Sequence, residues 1–298
     1  MPAAPRRGRG ASVGCTQQIT ADWQPVLAAG GLRRLVELLD GAPDACGLTG
    51  RLELLSKPGL GGRQRWRWEL GAGNGGAVLY LKRYARPAWR EQWDRIVRQS
   101  PRHSRACWEF QAARHLAEAH IPAPPAVAFV QEMHGPLERR SAVVLGGVAG
   151  EAFDRVWSRA CTAGAPITRG LARHDIAIRL GRFVAAFHGT GMCHRDLYLC
   201  HVFVDLDRAG RRSPTFALID LARVHQPRWR RMRWVLKDLS QLDASARQIG
   251  ASHTDRLRCL AAYLGLQRGS PRLRWYAARI VRRSARILAR IERKRQSA

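Results

Sequence analysis

Two aspartates set the chemistry open to this chain of 298 residues. Asp196 lies in Cys193-His194-Arg195-Asp196-Leu197-Tyr198-Leu199-Cys200-His201, and Asp220 in Leu218-Ile219-Asp220-Leu221, each at the end of a short strand-like run. Phosphoryl transfer uses such a pair. One carboxylate orients the acceptor hydroxyl and takes its proton, while the other holds Mg²⁺ against the nucleotide phosphates. Residues 201–205 and 215–219 read as a hairpin around a polar turn at 208–214. One loop and one hairpin therefore suffice to bring both carboxylates to the same cleft.

The same chemistry needs a cation on the nucleotide and a group that fixes it. Lysine is scarce: Lys57, Lys82, Lys237 and Lys294 are the only ones. Lys82 falls in a strand expected over residues 77–84. Glu109 falls in the first half of a helix expected over 104–120, after Pro101 and with Ser104 as its cap. In a kinase a strand lysine reaches the α- and β-phosphates and a helix glutamate holds it there. Alone, each residue reads as a solvated surface charge; beside the two aspartates they read as a pair. Gly59, Gly61 and Gly62 lie in a loop between two earlier strands, at 51–55 and 64–70, where a cover for the phosphates is wanted. That loop has no clean G-x-G-x-x-G and is weak evidence by itself.

These residues need elements to hold them. A hairpin at Asn74-Gly75 joins the second and third strands. A helix over 86–98 carries Trp89, Trp93 and Ile96 on one face, and strands at 126–130 and 141–145 flank a Gly135-Pro136 turn. The glycine-rich run 146–150 is the expected hinge, where backbone groups would meet adenine. A helix over 171–188 has Ile176, Leu180, Phe183, Val184 and Phe187 on one buried stripe and ends at Gly189 and Gly191. Then come a basic turn at 228–233, helices over 235–242 and 256–263, and a long basic helix over 271–295. The last has a stripe of Leu273, Ala277, Ile280, Ser284, Ile287 and Ile291 that packs on its neighbours in preference to lying on a membrane. Residues 1–20, rich in Arg, Gly and Pro, read as disordered, and 23–39 as a helix. The expected division is 1–47, an N-terminal extension; 48–147; and 148–298.

The net charge of +28 comes almost wholly from arginine. It implies a field that attracts anionic partners: nucleic acid, phosphorylated glycans or an anionic membrane surface. Seven cysteines at irregular spacing argue against a disulfide framework and for a reducing compartment. No second Cys-x-x-Cys completes a zinc site with Cys193-His194 or Cys200-His201. There is no apolar run of membrane-spanning length and no apolar signal core, so a cytoplasmic protein is expected.

The catalytic run resembles the protein-kinase loop H-R-D-x-x-x-x-N, with His201 in place of Asn. More closely, several motifs together resemble the lipopolysaccharide kinase family (Kdo/WaaP type). They are Leu81-Lys82-Arg83-Tyr84, the Trp-containing basic helix after it, Ser104-Arg105-Ala106-x-x-Glu109, the 194–201 run, Leu218-Ile219-Asp220-Leu221 and Arg233-Trp234-x-x-Lys237-Asp238-Leu239. The resemblance covers most of residues 50–265. It implies an α+β, bilobal protein-kinase-like fold with a small antiparallel-sheet N-lobe and a larger helical C-lobe. It also implies ATP and Mg²⁺ as cofactors and phosphorylation of a heptose or Kdo of the lipopolysaccharide inner core. The setting would be the anionic cytoplasmic leaflet of the inner membrane, with the protein peripheral to it.

On that resemblance Asp196, with Arg195 beside it, is catalytic. Asp220 holds the metal, with His201 in the position of a second ligand. Lys82 and Glu109 serve the nucleotide. His194 and Asp238 are structural, Asp238 bracing the catalytic loop. Arg228, Arg230, Arg231 and Arg233 follow the metal aspartate, where a kinase binds its acceptor, and are expected to contact the glycan. Three other readings share some features: a kinase of this fold with another acceptor, a silent kinase-like scaffold, and a nucleic-acid-binding protein. The last rests on charge alone, and no specific nucleic acid is expected.

Overall fold

The computed structural model describes residues 13–40, 46–55, 63–71, 76–206, 214–267 and 269–296. The Gly59, Gly61 and Gly62 loop, and the Asn74-Gly75 turn, lie outside the described residues. The chain divides into two compact units, one of residues 1–111 with 126–147 and one of residues 112–125 with 148–298.

The first unit holds strands β1 (Val13–Ile19), β2 (Arg51–Leu54), β3 (Arg63–Leu70), β4 (Ala77–Ala85), β5 (Ala126–His134) and β6 (Leu137–Gly146). They form one antiparallel sheet in the order β1-β5-β6-β4-β3-β2. Period-two alternation sends Trp66, Trp68, Leu79 and Leu81 to one buried face. There they meet Leu27 of α1 (Gln24–Ala29) and Leu38 and Leu39 of α2 (Glu37–Asp40).

Two expectations change here. The helix over 23–39 is broken at Gly30-Gly31. Gly31 has φ +83°, and a Cβ at Gly30 would stand 2.6 Å from the Trp68 indole, so the turn must be glycine. Residues 13–19, expected to be disordered, form β1. Its described side chains are exposed except Gln18, so it has no apolar alternation to read; backbone pairing with β5 alone places it.

Helix α4 (Arg105–Glu118) starts as its sequence suggests, with the Cys107 N–H donating to Ser104 Oγ at 3.1 Å. Its N-terminus is tied to the sheet. The Ser104 N–H donates to Gln131 Oε1 at 2.8 Å and the Arg105 N–H to Glu138 Oε2 at 3.1 Å. Phe110 packs against Phe129, with ring centroids 5.0 Å apart.

Helix α3 (Trp89–Arg98) does not use the face that its tryptophans define. Gln92 and Arg95 are its buried residues, and Trp89, Trp93 and Val97 are exposed. Arg95 finds enough carbonyl acceptors inside to be buried, among them Ser100 at 2.7 Å and His103 at 2.6 Å, and that decides the rotation of the helix.

In the second unit, β7 (Glu151–Ala152), β8 (Val202–Asp205) and β9 (Thr215–Leu218) form a small antiparallel sheet. Around it stand α5 (Phe153–Thr162), α6 (Gly170–Gly189), α7 (Arg231–Gln248), α8 (His253–Leu264) and α9 (Pro271–Gln296). Helix α6 buries Ile176, Leu180, Val184 and Phe187. A Cβ at Gly181 would lie 2.2 Å from the Cys259 carbonyl oxygen, so α6 and α8 approach at backbone distance. Helix α9 packs on α7: Leu273, Tyr276, Ile280 and Ser284 are buried, and Ser284 Oγ donates to Asp243 Oδ2 at 2.6 Å. Arg230, at φ 55°, stops the preceding chain, and α7 begins at Arg231, four residues earlier than expected. Among the described residues no helix is long and apolar enough to cross a membrane.

Candidate active site

The first unit supplies a buried ion pair. Lys82 stands on β4, opposite Val143 of β6, with its neighbours Leu81 and Arg83 facing the other way. Its Nζ donates to Glu109 Oε1 at 2.5 Å. Glu109 is wholly buried, and its Oε2 accepts from the Tyr84 hydroxyl at 3.1 Å. The α4 start, fixed by Gln131 and Glu138, sets where Glu109 falls. Glu138 is itself buried, and burial pushes its carboxyl above the usual range despite Ser141, Arg105 and Arg95 around it.

The second unit holds the 193–201 stretch. It enters through a single antiparallel bridge, with Cys193 N–H to His225 O at 2.9 Å and His225 N–H to Cys193 O at 3.0 Å. Asp238, fully buried on α7, then takes two main-chain donors: His194 N–H on Oδ2 at 2.6 Å and Arg195 N–H on Oδ1 at 2.8 Å. Those bonds hold Arg195 in a left-handed conformation, φ 70°, which is uncommon for a long side chain. Its carbonyl accepts from Lys237 Nζ, and its buried guanidinium lies over the Trp234 ring, 5.6 Å from the centroid. Burial, with Arg223 next, lowers that guanidinium to about 10. Lys237 falls to about 8, again through burial first, and Arg223 and Arg195 outside its favourable partners add to the shift.

Asp196 emerges from this frame with its side chain about a quarter exposed, and its Oδ2 accepts from Arg223 at 2.7 Å. Asp220 is also left-handed, φ 58°, a conformation that aspartate tolerates better than most residues. His201 joins the two segments. Its Nδ1 faces the Asp196 carbonyl at 2.8 Å, its Nε2 is 3.9 Å from Asp220 Oδ2, and Ile219 N–H donates to its carbonyl at 3.0 Å. His194 stacks on His201 at 5.8 Å and reaches the Ile219 carbonyl through Nε2 at 3.0 Å, which requires a proton on Nε2. Burial, with His201 next, lowers the His194 imidazole below its usual value and favours the neutral ring. Burial opposes charge on His201 too, but Cys200, the Asp196 carbonyl and Asp220 outweigh it and raise the imidazole to about 9.

The donor set tests the expected metal. A hard divalent cation takes oxygen ligands and keeps several waters, so one carboxylate and substrate phosphates suffice for Mg²⁺. Asp220 meets that need. His201 offers imidazole nitrogen, a poor ligand for Mg²⁺ beside oxygen donors, and with Nδ1 on a carbonyl and Nε2 3.9 Å from Asp220 it is placed to pair with that carboxylate. His188, Cys193 and Asp238 also place metal-capable atoms within 4.8 Å of one another. There the Asp238 oxygens already serve backbone donors, and burial raises the Cys193 thiol to about 12, so the cluster is a hydrogen-bonded strut.

The arginines expected at the acceptor are exposed, with two local anchors: Arg231 donates to the His188 carbonyl and Arg233 lies 5.7 Å from the Trp234 centroid. Arg223 was not singled out by sequence. Its only signal was its place three residues after Asp220. Ser245, whose Oγ accepts the Leu199 N–H at 3.0 Å, carried none.

Strand lysine to helix glutamate, and a loop aspartate braced from a helix, define a protein-kinase-like fold, and the solved structures agree. One described as WaaP in complex with acyl carrier protein superposes with a TM-score of 0.59 and 25% identity, over 95% of this chain and 98% of that one. The chain belongs to the lipopolysaccharide kinase (Kdo/WaaP) family, whose model matches residues 69–263. Among curated relatives it is 30% identical, over 187 residues, to the lipopolysaccharide core heptose(I) kinase WaaP of Pseudomonas aeruginosa. It is 25% identical, over 159 residues, to that of Escherichia coli K12. The matches take in 62% and 53% of this chain and 66% and 59% of those relatives' own lengths.

Proposed function

We propose that this chain is an ATP- and Mg²⁺-dependent kinase that phosphorylates an inner-core sugar of lipopolysaccharide, a heptose in preference to Kdo. The observation that carries the kinase reading is Asp196, salt-bridged by Arg223 on a stretch whose backbone is pinned by buried Asp238. The preference for heptose follows the names of the curated relatives.

In this reading Asp196 accepts a hydrogen bond from the acceptor hydroxyl and takes its proton late, since carboxylates are weak bases for an alcohol. Arg223 keeps the carboxylate oriented. Lys82, held by Glu109, binds the nucleotide phosphates. Asp220 would hold Mg²⁺, which when bound neutralises charge on the phosphates. His201 aligns the Asp220 carboxylate. Arg228, Arg230, Arg231 and Arg233 would meet the carboxylates and phosphates of the core glycolipid. The protein would work as a peripheral protein on the anionic cytoplasmic leaflet. The complex in which the solved relative was described adds acyl carrier protein as a second partner, one that the sequence did not suggest.

The test is ATP-dependent phosphate incorporation into purified deep-core lipopolysaccharide, with Asp196→Ala alongside. Incorporation by the wild type alone is expected. Equal incorporation by Asp196→Ala would remove the assignment. Mg²⁺-dependent ATP binding without incorporation would retain the kinase and redirect the search to other acceptors.

A further inference from the structure

Helix α3 is packed inside out. Its buried face is polar: Arg95 is 1% exposed and Gln92 7%. Arg95 donates to the carbonyls of Ser100, His103 and Pro136 and to Gln92 Oε1, and its Nε lies 3.5 Å from Glu138. Gln92 Nε2 in turn donates to the Glu138 carbonyl at 2.6 Å. This network fixes the rotation of the helix, so the apolar row cannot turn inward. Trp89, Trp93 and Val97, at i, i+4 and i+8, are 66%, 59% and 60% exposed. Single exposed apolar residues are ordinary, but a row with two tryptophans is a contact surface waiting for a partner.

The rim of that row says which partner. Arg90 and Arg98 adjoin it on the helix, Arg86 and Arg102 lie just before and just after the helix in sequence, and all four are exposed. Of the acids of α3, Glu91 is engaged with Arg63 and with Arg105 at 3.1 Å, and Asp94 pairs with Arg98, so the rim keeps the charge of Arg86, Arg90 and Arg102. Indoles favour the headgroup level of a bilayer, arginine stems lie along apolar surface with the charge in water, and stable peripheral binding needs an apolar and a basic signal together. Ten residues are too few to span a bilayer but enough to lie in its surface.

We propose that the Trp89–Trp93–Val97 face of α3 docks this protein in the interfacial layer of an anionic phospholipid bilayer, with the flanking arginines on lipid phosphates. The proposal deepens the glycolipid-kinase reading, which supplies the reason for a membrane. The packing of α3 does not depend on that reading.

The full-length protein and a Trp89→Gln/Trp93→Gln variant are compared by flotation with phosphatidylethanolamine–phosphatidylglycerol vesicles. So basic a chain binds anionic lipid through charge alone, so the deciding measurement is made at about 1 M salt, where the screening length is about 3 Å. Wild type should stay bound there. The double variant should partition roughly tenfold or more weakly, the burial of two indoles having been lost, and Val97→Asn should give a smaller loss. All three positions are exposed, so the thermal melt should not change. Equal partitioning of variant and wild type, or complete release of the wild type at high salt, would overturn the proposal. So would a variant that keeps vesicle binding but loses acyl carrier protein, since the row would then be a protein interface. Phosphorylation of delipidated core oligosaccharide, measured without vesicles, separates the two readings. Wild type and variant should be equally active there, and failure of both would count against the kinase and leave the vesicle result standing.

Discussion

The Lys82–Glu109 pair and the Asp196 stretch each hold a charge in place, by opposite means. Lys82 and Glu109 stand on long regular elements, β4 and α4, and meet side chain to side chain. Asp196 stands on irregular chain directly after left-handed Arg195, and its position is set through main-chain bonds to a carboxylate distant in sequence. The first arrangement places a group with strain-free backbone and a desolvated ion pair. The second stores backbone strain, of order 1–3 kcal/mol per residue, and offsets it with buried hydrogen bonds. A loop held in this way should fail sharply when its brace is removed, whereas the ion pair should lose function before it loses the fold.

The largest effect is therefore expected from Asp238→Ala. It leaves two buried N–H groups without an acceptor, a cost of about 3 kcal/mol or more, and activity should vanish with it. Denaturant unfolding checks this, and a stability within about 0.5 kcal/mol of wild type would mean that the stretch is held some other way. Glu109→Gln should be milder for the fold, since an amide can still accept from Tyr84. Without its charged partner Lys82 moves, and kcat/KM for ATP should fall about a hundredfold, the usual consequence of a misplacement near 1 Å. Unchanged ATP kinetics in a folded variant would make the pair purely structural.

The smallest effect is on pH dependence. His201 is raised from 6.5 to about 9, so its stabilising contribution is complete below about 6.5 and is lost as pH rises through 9. The wild-type melting temperature should decline across that window, and His201→Gln should flatten the decline. Cys200→Ser, which removes the strongest of the influences raising His201, should move the window to lower pH. A decline that is the same in all three proteins would refute the assignment of charge to His201.

What could be read in advance follows from the range of the interactions. The Lys82 strand, the Ser104 cap and the α6 stripe declare themselves over a few residues, and so do the short runs that carry Asp196 and Asp220. The rotation of α3 did not, because it depends on carbonyls of Ser100, His103 and Pro136 that only the folded chain gathers around Arg95. Periodicity named the tryptophans of α3 as its apolar face correctly and could not say that a buried guanidinium would claim the inside. Arg223 escaped for a similar reason. In so arginine-rich a sequence, one more arginine carries no information until its Nη1 is seen on Asp196.

The edge strand β1 has a consequence for synthesis. Val13 pairs with His134 and Ile19 with Ala128, about 120 and 110 residues downstream. At ordinary elongation rates of roughly 5–20 residues per second, β1 is made on the order of ten seconds before β5 exists. The polar run Thr16-Gln17-Gln18 within it keeps that unpaired ribbon from adhering to itself or to neighbours while it waits. The lack of an apolar face that hid β1 from the sequence reading is what lets the nascent chain carry it safely until the sheet can close.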